Sequence, residues 1–293
     1  FYGWLEHIDK KKFKKIKIIT GDVRDFQSVS LALKNKDAVI NLAALIAIPY
    51  SYQAARSYIE TNIIGTHNIL EAAKICNIGK IIHTSTSEIY GTAKYVPIDE
   101  NHPINSQSPY AATKASADQL AISYYYSFNL PVTILRPFNT FGPRQSMRAV
   151  IPTIIGQVIN SNRVNIGNVK PTRDFTFVTD TVEAFSRAIK AKNINGEVIN
   201  IGSNFEVSIK EIIEMVASIT NRKIVINKDL KRMRPKSSEV DRLLCSNKKA
   251  KYLLKWSPSS GGKKGFKAAL EETINWFSKK ENLKLYKSKI YNV

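Results

Sequence analysis

The stretch that decides the fold is residues 80–88, KIIHTSTSE, in which an apolar run ends in hydroxyl and carboxylate side chains. A second stretch, residues 108–114 (SPYAATK), follows it. The apolar run predicts a buried strand over residues 80–85, and a proline in the first helical turn predicts a helix that begins after Ser108. Ligands of open α/β sheets bind outside the carboxyl ends of the strands. The polar cluster Thr86, Ser87 and Glu88 is therefore predicted to lie at a ligand site.

Tyr110 and Lys114 stand four positions apart, which places them on one face of the predicted helix. A free phenol has a pKa of about 10 and moves its proton readily at neutral pH only when that pKa is lowered. Lys114 offers a positive charge beside the phenol, and Thr86 offers a hydroxyl. The set predicts hydride transfer to a nicotinamide. Glu88 predicts a second proton transfer on the same substrate. The structural alternatives are an ordinary amphipathic helix and a glutamate that caps a turn.

Apolar strands alternate with helical patterns from about residue 15 to residue 136, which is typical of parallel βαβ units. Strands are predicted over 15–20, 37–43 (doubly buried), 80–85 and 132–136, and helices over 26–34, over 54–76 and from Pro109. The fold class is thus α/β, a Rossmann-like doubly wound parallel sheet with a smaller C-terminal α/β lobe. Residues 1–140, with 174–205 returning to them, are predicted to form the larger domain. Within the returning part, 174–178 and 197–201 are predicted strands of its sheet. Residues 141–173 and 206–293 form the smaller, substrate-binding lobe.

Net charge, apolar runs and cysteine spacing limit the classes of function that the sequence predicts. The 293 residues carry a net charge of +20. The lysines are spread over predicted helix faces, which favours a solvated surface over a nucleic-acid footprint. No stretch reaches the roughly 20 apolar residues of a membrane span. Cys76 and Cys245 have no metal-type spacing and predict a reduced, cytoplasmic protein. We therefore expect no nucleic acid, no membrane and no metal as partners.

Several ordered motifs together resemble the extended short-chain dehydrogenase/reductase family, and within it the nucleotide-sugar 4,6-dehydratases. The motifs are residues 21–25 (GDVRD), 41–44 (NLAA), 85–91 (STSEIYG), Tyr110 with Lys114, 136–144 (RPFNTFGPR) and 173–175 (RDF). Residues 45–52 (LIAIPYSY), 149–153 (AVIPT) and 232–242 (RMRPKSSEVDR) resemble more narrowly the UDP-N-acetylglucosamine 4,6-dehydratases of legionaminic-acid-type pathways.

The resemblance implies a catalytic set of Thr86, Ser87, Glu88, Tyr110 and Lys114. Tyr110 would take the proton of the sugar C4 hydroxyl while hydride leaves C4, and Glu88 would take the C5 proton before water leaves from C6. The best-known sugar 4,6-dehydratases have an aspartate where this chain has Ser87. Serine is a poor general acid at neutral pH, so either water relays the proton or Glu88 performs both transfers.

The resemblance also implies NAD as the cofactor and a UDP-sugar as the substrate. The implied cofactor contacts are Asp22, Val23, Leu42, Ala43, Ala44, Asn62, Thr84, Tyr110, Lys114 and Pro137. The implied substrate contacts are Ser51, Thr86, Asn139, Arg144, Arg173 and Arg234. Arginine suits a diphosphate because its guanidinium binds phosphate oxygens in pairs and keeps its charge when half-buried. The resemblance further implies a homodimer formed by the helices over residues 54–76 and 109–128.

One part of the family's pattern is missing from the sequence. A complete member begins with a strand, a glycine-rich turn and a helix whose N-terminus receives the pyrophosphate. No such turn precedes Asp22, and residue 1 is Phe, so we expect an N-terminal truncation, with the first βαβ unit missing and the full-length form being the enzyme. The strand over 15–20 would then lie roughly 10 Å from its nearest neighbour, either shifted inward or unpaired. The chain as given is predicted to bind NAD poorly.

Three other functions stay open at this point. Related nucleotide-sugar decarboxylases also carry Thr-Ser-Glu at residues 86–88, so UDP-glucuronate decarboxylation is an alternative. A nucleotide-sugar 4-epimerase is another. From a different class, the chain could be a non-catalytic remnant that still binds a sugar nucleotide.

Overall fold

The structure is a computed structural model that describes residues 3–284 and residue 286. The strands are β1 (Ala38–Asn41), β2 (Lys80–Thr84), β3 (Val132–Pro137), β4 (Asn139–Phe141), β5 (Arg163–Ile166), β6 (Thr172–Phe177), β7 (Val198–Ile201), β8 (Glu206–Ser208), β9 (Val225–Lys228) and β10 (Arg242–Leu243). The α-helices are α1 (Lys10–Phe13), α2 (Phe26–Leu33), α3 (Ile48–Gln53), α4 (Ala55–Tyr58), α5 (Gly65–Ile75), α6 (Pro109–Phe128), α7 (Val150–Asn160), α8 (Val178–Lys190), α9 (Ile209–Ile219), α10 (Lys248–Leu254), α11 (Gly262–Ser278) and α12 (Lys280–Leu283). Short 3-10 turns cover Gly3–His7, Ser87–Tyr90, Leu230–Arg232 and Lys236–Ser238.

The main sheet has the strand order β1-β2-β3-β7, and all its pairs are parallel. Helices cover both faces. On one face, residues of α2, α5 and α6 pack with β2 and β3, as Val29, Ile69 and Ala121 show. On the other face, α8 and α10 pack with the sheet around Phe185 and Trp256. A parallel sheet buried on two sides is the predicted doubly wound α/β architecture.

The smaller lobe has its own sheet and core. β10, β6 and β4 pair in that order, with β8 antiparallel on β6, and β5 pairs with β9. Helices α7, α9 and α11 enclose a second apolar cluster around Ile154, Ile212 and Phe266. The cap of α9 is a reciprocal capping box between Ser208 and Glu211, which satisfies two backbone amides at the helix start.

The two long helices were well predicted. Ser108 accepts a hydrogen bond from the Ala111 amide, Pro109 occupies the first turn, and α6 runs to Phe128 as expected. The helical stretch predicted over residues 54–76 is also present, but α4 and α5 are joined by a π-helical turn, Ile59–Ile64. That turn contains the buried Asn62, which lies at the site described below.

Strand predictions near the N-terminus were wrong in two respects. Residues 15–20 form no strand, and Ile16 and Ile19 are 43% and 48% exposed. The strand predicted as doubly buried over 37–43 is the shorter β1, with Ile40 and the following Leu42 exposed. The physical reason is that β1 pairs with β2 alone among the described residues, so it is an edge strand and residues 15–20 have no adjoining strand on which to bury their apolar side chains.

One strand of the returning segment was also assigned to the wrong sheet. β7 pairs with β3 in the main sheet as predicted, with Arg136 opposite Asn200. β6, predicted over 174–178 as part of the same sheet, pairs instead with β4, β8 and β10. Both edges of β3 are occupied by β2 and β7, so the main sheet has no place beside β3 for β6.

Among residues 3–284, no helix is long and apolar enough to cross a membrane. The same residues contain no group of three or more histidine, cysteine, aspartate or glutamate side chains able to hold a metal ion.

The packing of the central strand β2 should contribute strongly to the free energy of unfolding. Ile82 is completely buried between the sheet and α8, so the Ile82→Ala variant should lose about 2–5 kcal/mol of unfolding free energy through lost burial and a cavity. Leu31→Ala is the matched control, because Leu31 is 72% exposed and its removal should change the unfolding free energy by less than about 0.5 kcal/mol. Urea titration followed by circular dichroism measures both. Equal losses in the two variants would contradict the described core.

Candidate functional site

The predicted hydroxyl cluster lies where β2 ends. The Ser85 amide donates to the Leu135 carbonyl oxygen at 2.7 Å, which continues the sheet by one more bond. Thr86 then caps the short turn Ser87–Tyr90, because its hydroxyl accepts from the Glu88 amide at 3.2 Å. Thr86, Ser87 and Glu88 are all buried. The carboxyl end of β2 therefore presents two hydroxyls and one carboxylate from a fixed backbone.

Tyr110 and Lys114 come to this cluster from the first two turns of α6. Both side chains are buried, and the Tyr110 phenol is hydrogen-bonded to Thr86. Lys114 Nζ donates to the Thr84 carbonyl oxygen at 2.6 Å. The predicted tyrosine, lysine and threonine thus meet in one place, and Glu88 is close enough for its charge to act on Tyr110.

The electrostatics of Tyr110 differ from the sequence-based expectation. Burial raises the pKa of Tyr110 above its usual value, and the charge of Glu88 raises it further, while the Thr86 hydrogen bond lowers it. Lys114 was expected to lower that pKa, but its Nζ is bonded to the Thr84 carbonyl. Burial itself lowers the pKa of Lys114 to about 8. These residues alone therefore keep the phenol protonated at neutral pH.

Glu88 belongs to a cluster of opposite charges. Arg234 lies 3.7 Å from the Glu88 carboxylate and 4.0 Å from that of Glu239. Arg173, buried in β6, lies 3.5 Å from Glu239. Two predicted substrate arginines are thus brought to the predicted catalytic carboxylate. The buried Arg234 Nη1 has no hydrogen-bond partner among the described residues, so this donor is available to a ligand.

Other predicted substrate residues are not part of this cluster. Ser51 is buried, but its hydroxyl donates to the Ile48 carbonyl oxygen at 2.7 Å. Asn139 begins β4 and pairs with Phe175 of β6. Arg144 is exposed in the loop after β4, where its backbone has φ of +69°. The structure shows no contact between these three side chains and Glu88, so their predicted substrate contacts stay predictions.

Most predicted cofactor residues line the same edge of the sheet. Asn62 is almost fully buried and holds the chain after β1 by bonding both the amide and the carbonyl oxygen of Leu45. The Ala43 amide donates to the side chain of Asn41, and the neighbouring Leu42 and Ala44 are exposed and half-buried. The half-buried Pro137 ends β3. The Thr84 hydroxyl is buried with no partner in the described part of the chain.

Asp22 and Val23, two more of the predicted cofactor contacts, lie in the turn just before α2. Asp22 forms an exposed ion pair with Arg24 at 2.6 Å, and the Arg24 hydrogen bond lowers the pKa of Asp22 to about 2. Val23 packs against the apolar cluster below the sheet, and its carbonyl oxygen accepts from Asn68 at 3.0 Å. An open cavity of about 410 Å³ adjoins Asp22 and Arg24.

Sequence reasoning missed three features of the site. Tyr58 stands edge-on to Tyr110, with ring centroids 6.3 Å apart. Glu239 balances the two arginines, and the quoted motif RMRPKSSEVDR contained it without indicating that role. The third is a row of buried polar side chains across the sheet, which the alternation of residues in the strands could have indicated. Its members are Asn41, His83, Ser85, Asp118, Arg136, Tyr90 and Asn200.

Known proteins share this arrangement of sequence and fold. A family model described as GDP-mannose 4,6 dehydratase matches residues 1–269. The human dTDP-D-glucose 4,6-dehydratase is 32% identical over 291 residues, which cover 97% of this chain and 80% of the human protein. The UDP-N-acetyl-alpha-D-glucosaminuronate decarboxylase of Bacillus cytotoxicus is 33% identical over 295 residues, which cover 96% of this chain and 89% of that protein.

A solved structure is similar to this chain in both sequence and fold. The UDP-glucuronic acid 4-epimerase of Bacillus cereus, determined as a variant with NAD and a fluorinated UDP-sugar, superposes with a TM-score of 0.84 at 30% identity, covering 94% of this chain and 84% of the epimerase. The chain therefore belongs to the GDP-mannose 4,6-dehydratase family, within the extended short-chain dehydrogenases/reductases that modify nucleotide sugars.

Proposed function

We propose that the protein is an NAD-dependent nucleotide-sugar 4,6-dehydratase that converts UDP-N-acetylglucosamine into a 4-keto-6-deoxy sugar nucleotide. The observation that carries the proposal is the position of Glu88. Its carboxylate lies beside the Tyr110 and Thr86 pair, in the same buried space, and is faced by Arg234. Tyr110 and Thr86 would act at one sugar carbon, C4, and Glu88 would act at the adjoining carbon, C5. Relatives and solved structures named as dehydratases and epimerases support the reaction class.

The first half of the reaction needs a base at the C4 hydroxyl. Thr86 orients that hydroxyl, and Tyr110 takes its proton. Because burial raises the pKa of Tyr110, the phenol needs additional positive charge before it can act as a base. NAD, when bound, would accept the hydride from C4, and its oxidised nicotinamide ring would add positive charge. Lys114, one turn further along the same helix face, donates to the Thr84 carbonyl oxygen at the end of β2.

The second half is an elimination. The C4 ketone makes the C5 proton acidic, and Glu88 takes it; the electron pair left at C5 forms the double bond as the C6 hydroxyl departs. That hydroxyl leaves as water once it receives a proton. Ser87 is buried, and its hydroxyl has no hydrogen-bond partner within residues 3–284, so it can pass a proton through water. Alternatively, Glu88 can give the C6 hydroxyl the proton that it took from C5. The hydride that NAD would have taken from C4 would then return to C6 while C5 regains a proton, which gives the 4-keto-6-deoxy sugar and leaves NAD in its oxidised form.

Arg173 and Arg234 are proposed to bind the substrate diphosphate. In the described structure Glu239 and Glu88 partly neutralise both guanidinium groups. A diphosphate provides charge-assisted, paired hydrogen bonds that a single carboxylate at 3.5–4.0 Å does not. Asn139, Arg144 and Ser51 complete the proposed substrate set, and Arg144, on its exposed loop, would contact the nucleotide.

The described residues fit the nicotinamide end of NAD. The unpartnered Thr84 hydroxyl, the buried Lys114 and the small side chains Ala43 and Ala44 lie at the carboxyl edge of the sheet, where a flat ring can approach the backbone. Tyr110, Asn62, Leu42 and Pro137 would complete that end, and Asp22 and Val23 would receive the adenine end. A glycine-rich turn for the pyrophosphate does not occur before Asp22 in the sequence.

Ser87 favours a second candidate, decarboxylation of a UDP-uronic acid. An aspartate in its place would supply a general acid for water loss, whereas loss of C6 as carbon dioxide has no hydroxyl leaving group to protonate and needs a proton only at C5 afterwards. The decarboxylase of Bacillus cytotoxicus is 33% identical to this chain. Product mass separates the reactions, since a dehydratase removes water, a decarboxylase removes carbon dioxide and a 4-epimerase leaves the mass unchanged.

We also propose that the protein is cytoplasmic and dimeric. The helices α5 and α6, with the π-helical turn, expose several large apolar side chains, namely Ile59, Ile64, Ile75, Tyr126 and Phe128. A second copy that packs its own α5 and α6 there would form a four-helix bundle and bury these side chains.

Glu88→Gln should separate the two halves of the reaction. With UDP-N-acetylglucosamine and saturating NAD, the amide cannot take the C5 proton, so water loss should fall by about 10²–10⁴-fold. Oxidation at C4 should continue and appear as absorbance of the reduced cofactor. Mass spectrometry of the sugar nucleotide and absorbance measure the two halves. Tyr110→Phe should abolish both, and Tyr126→Phe, on the exposed side of α6, should abolish neither. Unchanged water loss in Glu88→Gln would contradict the proposal.

Arg234→Ala should weaken binding of UDP-N-acetylglucosamine by about 10–100-fold, the effect of losing a charge-assisted hydrogen bond. Equilibrium dialysis without NAD measures this, and dialysis of the UDP-sugar repeated with NAD separates an enzyme from the non-catalytic alternative. Arg163→Ala is the control, because Arg163 is exposed on β5 and should leave binding unchanged. Equal binding by Arg234→Ala and the parent chain would remove Arg234 from the substrate site.

The 293-residue chain should bind NAD with a dissociation constant well above the micromolar range. The reason is that no glycine-rich turn and helix N-terminus receive the pyrophosphate before Asp22. Isothermal titration calorimetry measures the affinity, with UDP-sugar binding as the control for correct folding. Micromolar binding of NAD would show that other residues hold the pyrophosphate.

A further inference from the structure

Asp118 is the most buried charged group near the proposed site, and the mechanism above does not use it. It lies on α6, one helical turn beyond Lys114 and two beyond Tyr110, and its side chain has no exposed surface. A buried carboxylate is costly unless it is paired and hydrogen-bonded. Its partners therefore indicate what it does.

Those partners lie at the ends of two strands. Ser85 Oγ donates to Asp118 Oδ2 at 2.8 Å, and Arg136 Nε donates to the same oxygen at 3.0 Å. Ser85 immediately precedes Thr86, which hydrogen-bonds Tyr110. One carboxylate thus ties the helix that carries Tyr110 and Lys114 to the strand end that carries Thr86 and Glu88.

The charged groups around Asp118 come from every element packed against it. Lys114 shares its helix, Arg136 comes from β3, and His83 comes from β2 with Nε2 at 3.6 Å from Asp118 Oδ1. Burial lowers the pKa of His83, so this histidine is neutral at pH 7. The Tyr90 hydroxyl accepts from Arg136 Nη1 at 2.9 Å. Arg136 is therefore ion-paired with Asp118, and Lys114, one helical turn away on α6, is a second buried cation on which the same negative charge acts.

Lys114 depends on that anion. Its hydrogen bond goes to the uncharged carbonyl oxygen of Thr84. Burial lowers the pKa of Lys114, and the negative charge of Asp118 opposes this effect. The same charge raises the pKa of Tyr110, but desolvation is the larger cause there.

We propose that Asp118 is a positioning residue that clamps α6 to the ends of β2 and β3 and supplies the negative charge that keeps the buried Lys114 protonated. The inference depends on the proposed function only because it takes Lys114 and Tyr110 as the catalytic pair of that function. The charge relation itself exists in the chain without substrate or cofactor.

The test is a direct titration of Lys114. Protein labelled with ¹³C at lysine is titrated from neutral to alkaline pH, and the ¹³Cε shift of Lys114 is followed by NMR, assigned by its absence in Lys114→Arg. Asp118→Asn should lower the pKa of Lys114 by about one pH unit or more, because an opposite charge is removed. Asp180→Asn is the matched control, since Asp180 is equally buried and bonded to Ser259 and Ser260 on α8's side of the sheet.

An unchanged Lys114 pKa in folded Asp118→Asn would overturn the proposal, as would an equal fall in Asp180→Asn. Should Asp118→Asn fail to fold because Arg136 is left unpaired, the double variant Asp118→Asn/Arg136→Gln is compared with Arg136→Gln alone, so that the two proteins differ only in the charge at position 118. A lower Lys114 pKa in the double variant than in Arg136→Gln supports the proposal, and an equal pKa overturns it. No step of this titration uses sugar nucleotide or NAD, so a protein that lacks dehydratase activity but shows the shift would refute the proposed function alone.

Discussion

The structure depends on the buried ion pair between Asp118 of α6 and Arg136 of β3. The pair is part of a row of polar side chains that begins at Asn41 and ends at Asn200, so each strand of the main sheet contributes one member near its carboxyl end. Burying such groups is unfavourable unless each finds a partner, and the partners exist only when the four strands keep their register and α6 lies above them. The row of buried polar side chains therefore fixes the positions of the strand ends and of α6, which together form the site.

In the candidate site, groups of opposite charge pair with one another, and substrate binding would change those pairs. Arg173 and Arg234 face Glu239 and Glu88 in the described structure. In the proposed function, the substrate diphosphate would compete with those carboxylates for the same guanidinium groups. Its binding would release Glu88 from Arg234, and occupancy of the proposed diphosphate site would then be coupled to the mobility of the carboxylate proposed to take the C5 proton.

Local sequence signals predicted the fold best where particular residues mark the start or the end of a helix or strand. Ser108 and Pro109 set the start of α6, and the change from apolar residues to hydroxyls after Thr84 set the end of β2. Prediction failed where the outcome depends on distant partners. The apolar residues 15–20 read as a strand, but a strand needs a neighbour, and β6 was placed in the main sheet because periodicity does not say which edge is free. For the site, spacing brought Tyr110 and Lys114 together, but it could not show that Lys114 Nζ bonds the Thr84 carbonyl or that burial raises the pKa of Tyr110.

The open side of β1 has a consequence for the behaviour of the protein in solution. Its backbone amides and carbonyls on that side pair with no other strand of the described chain, and Ile40 and Leu42 lie exposed there. Such an edge is a template for addition of a strand from another molecule. The net charge of +20 works against this association, because like-charged copies repel one another. Added salt screens that repulsion, so colloidal stability is expected to decline as ionic strength increases.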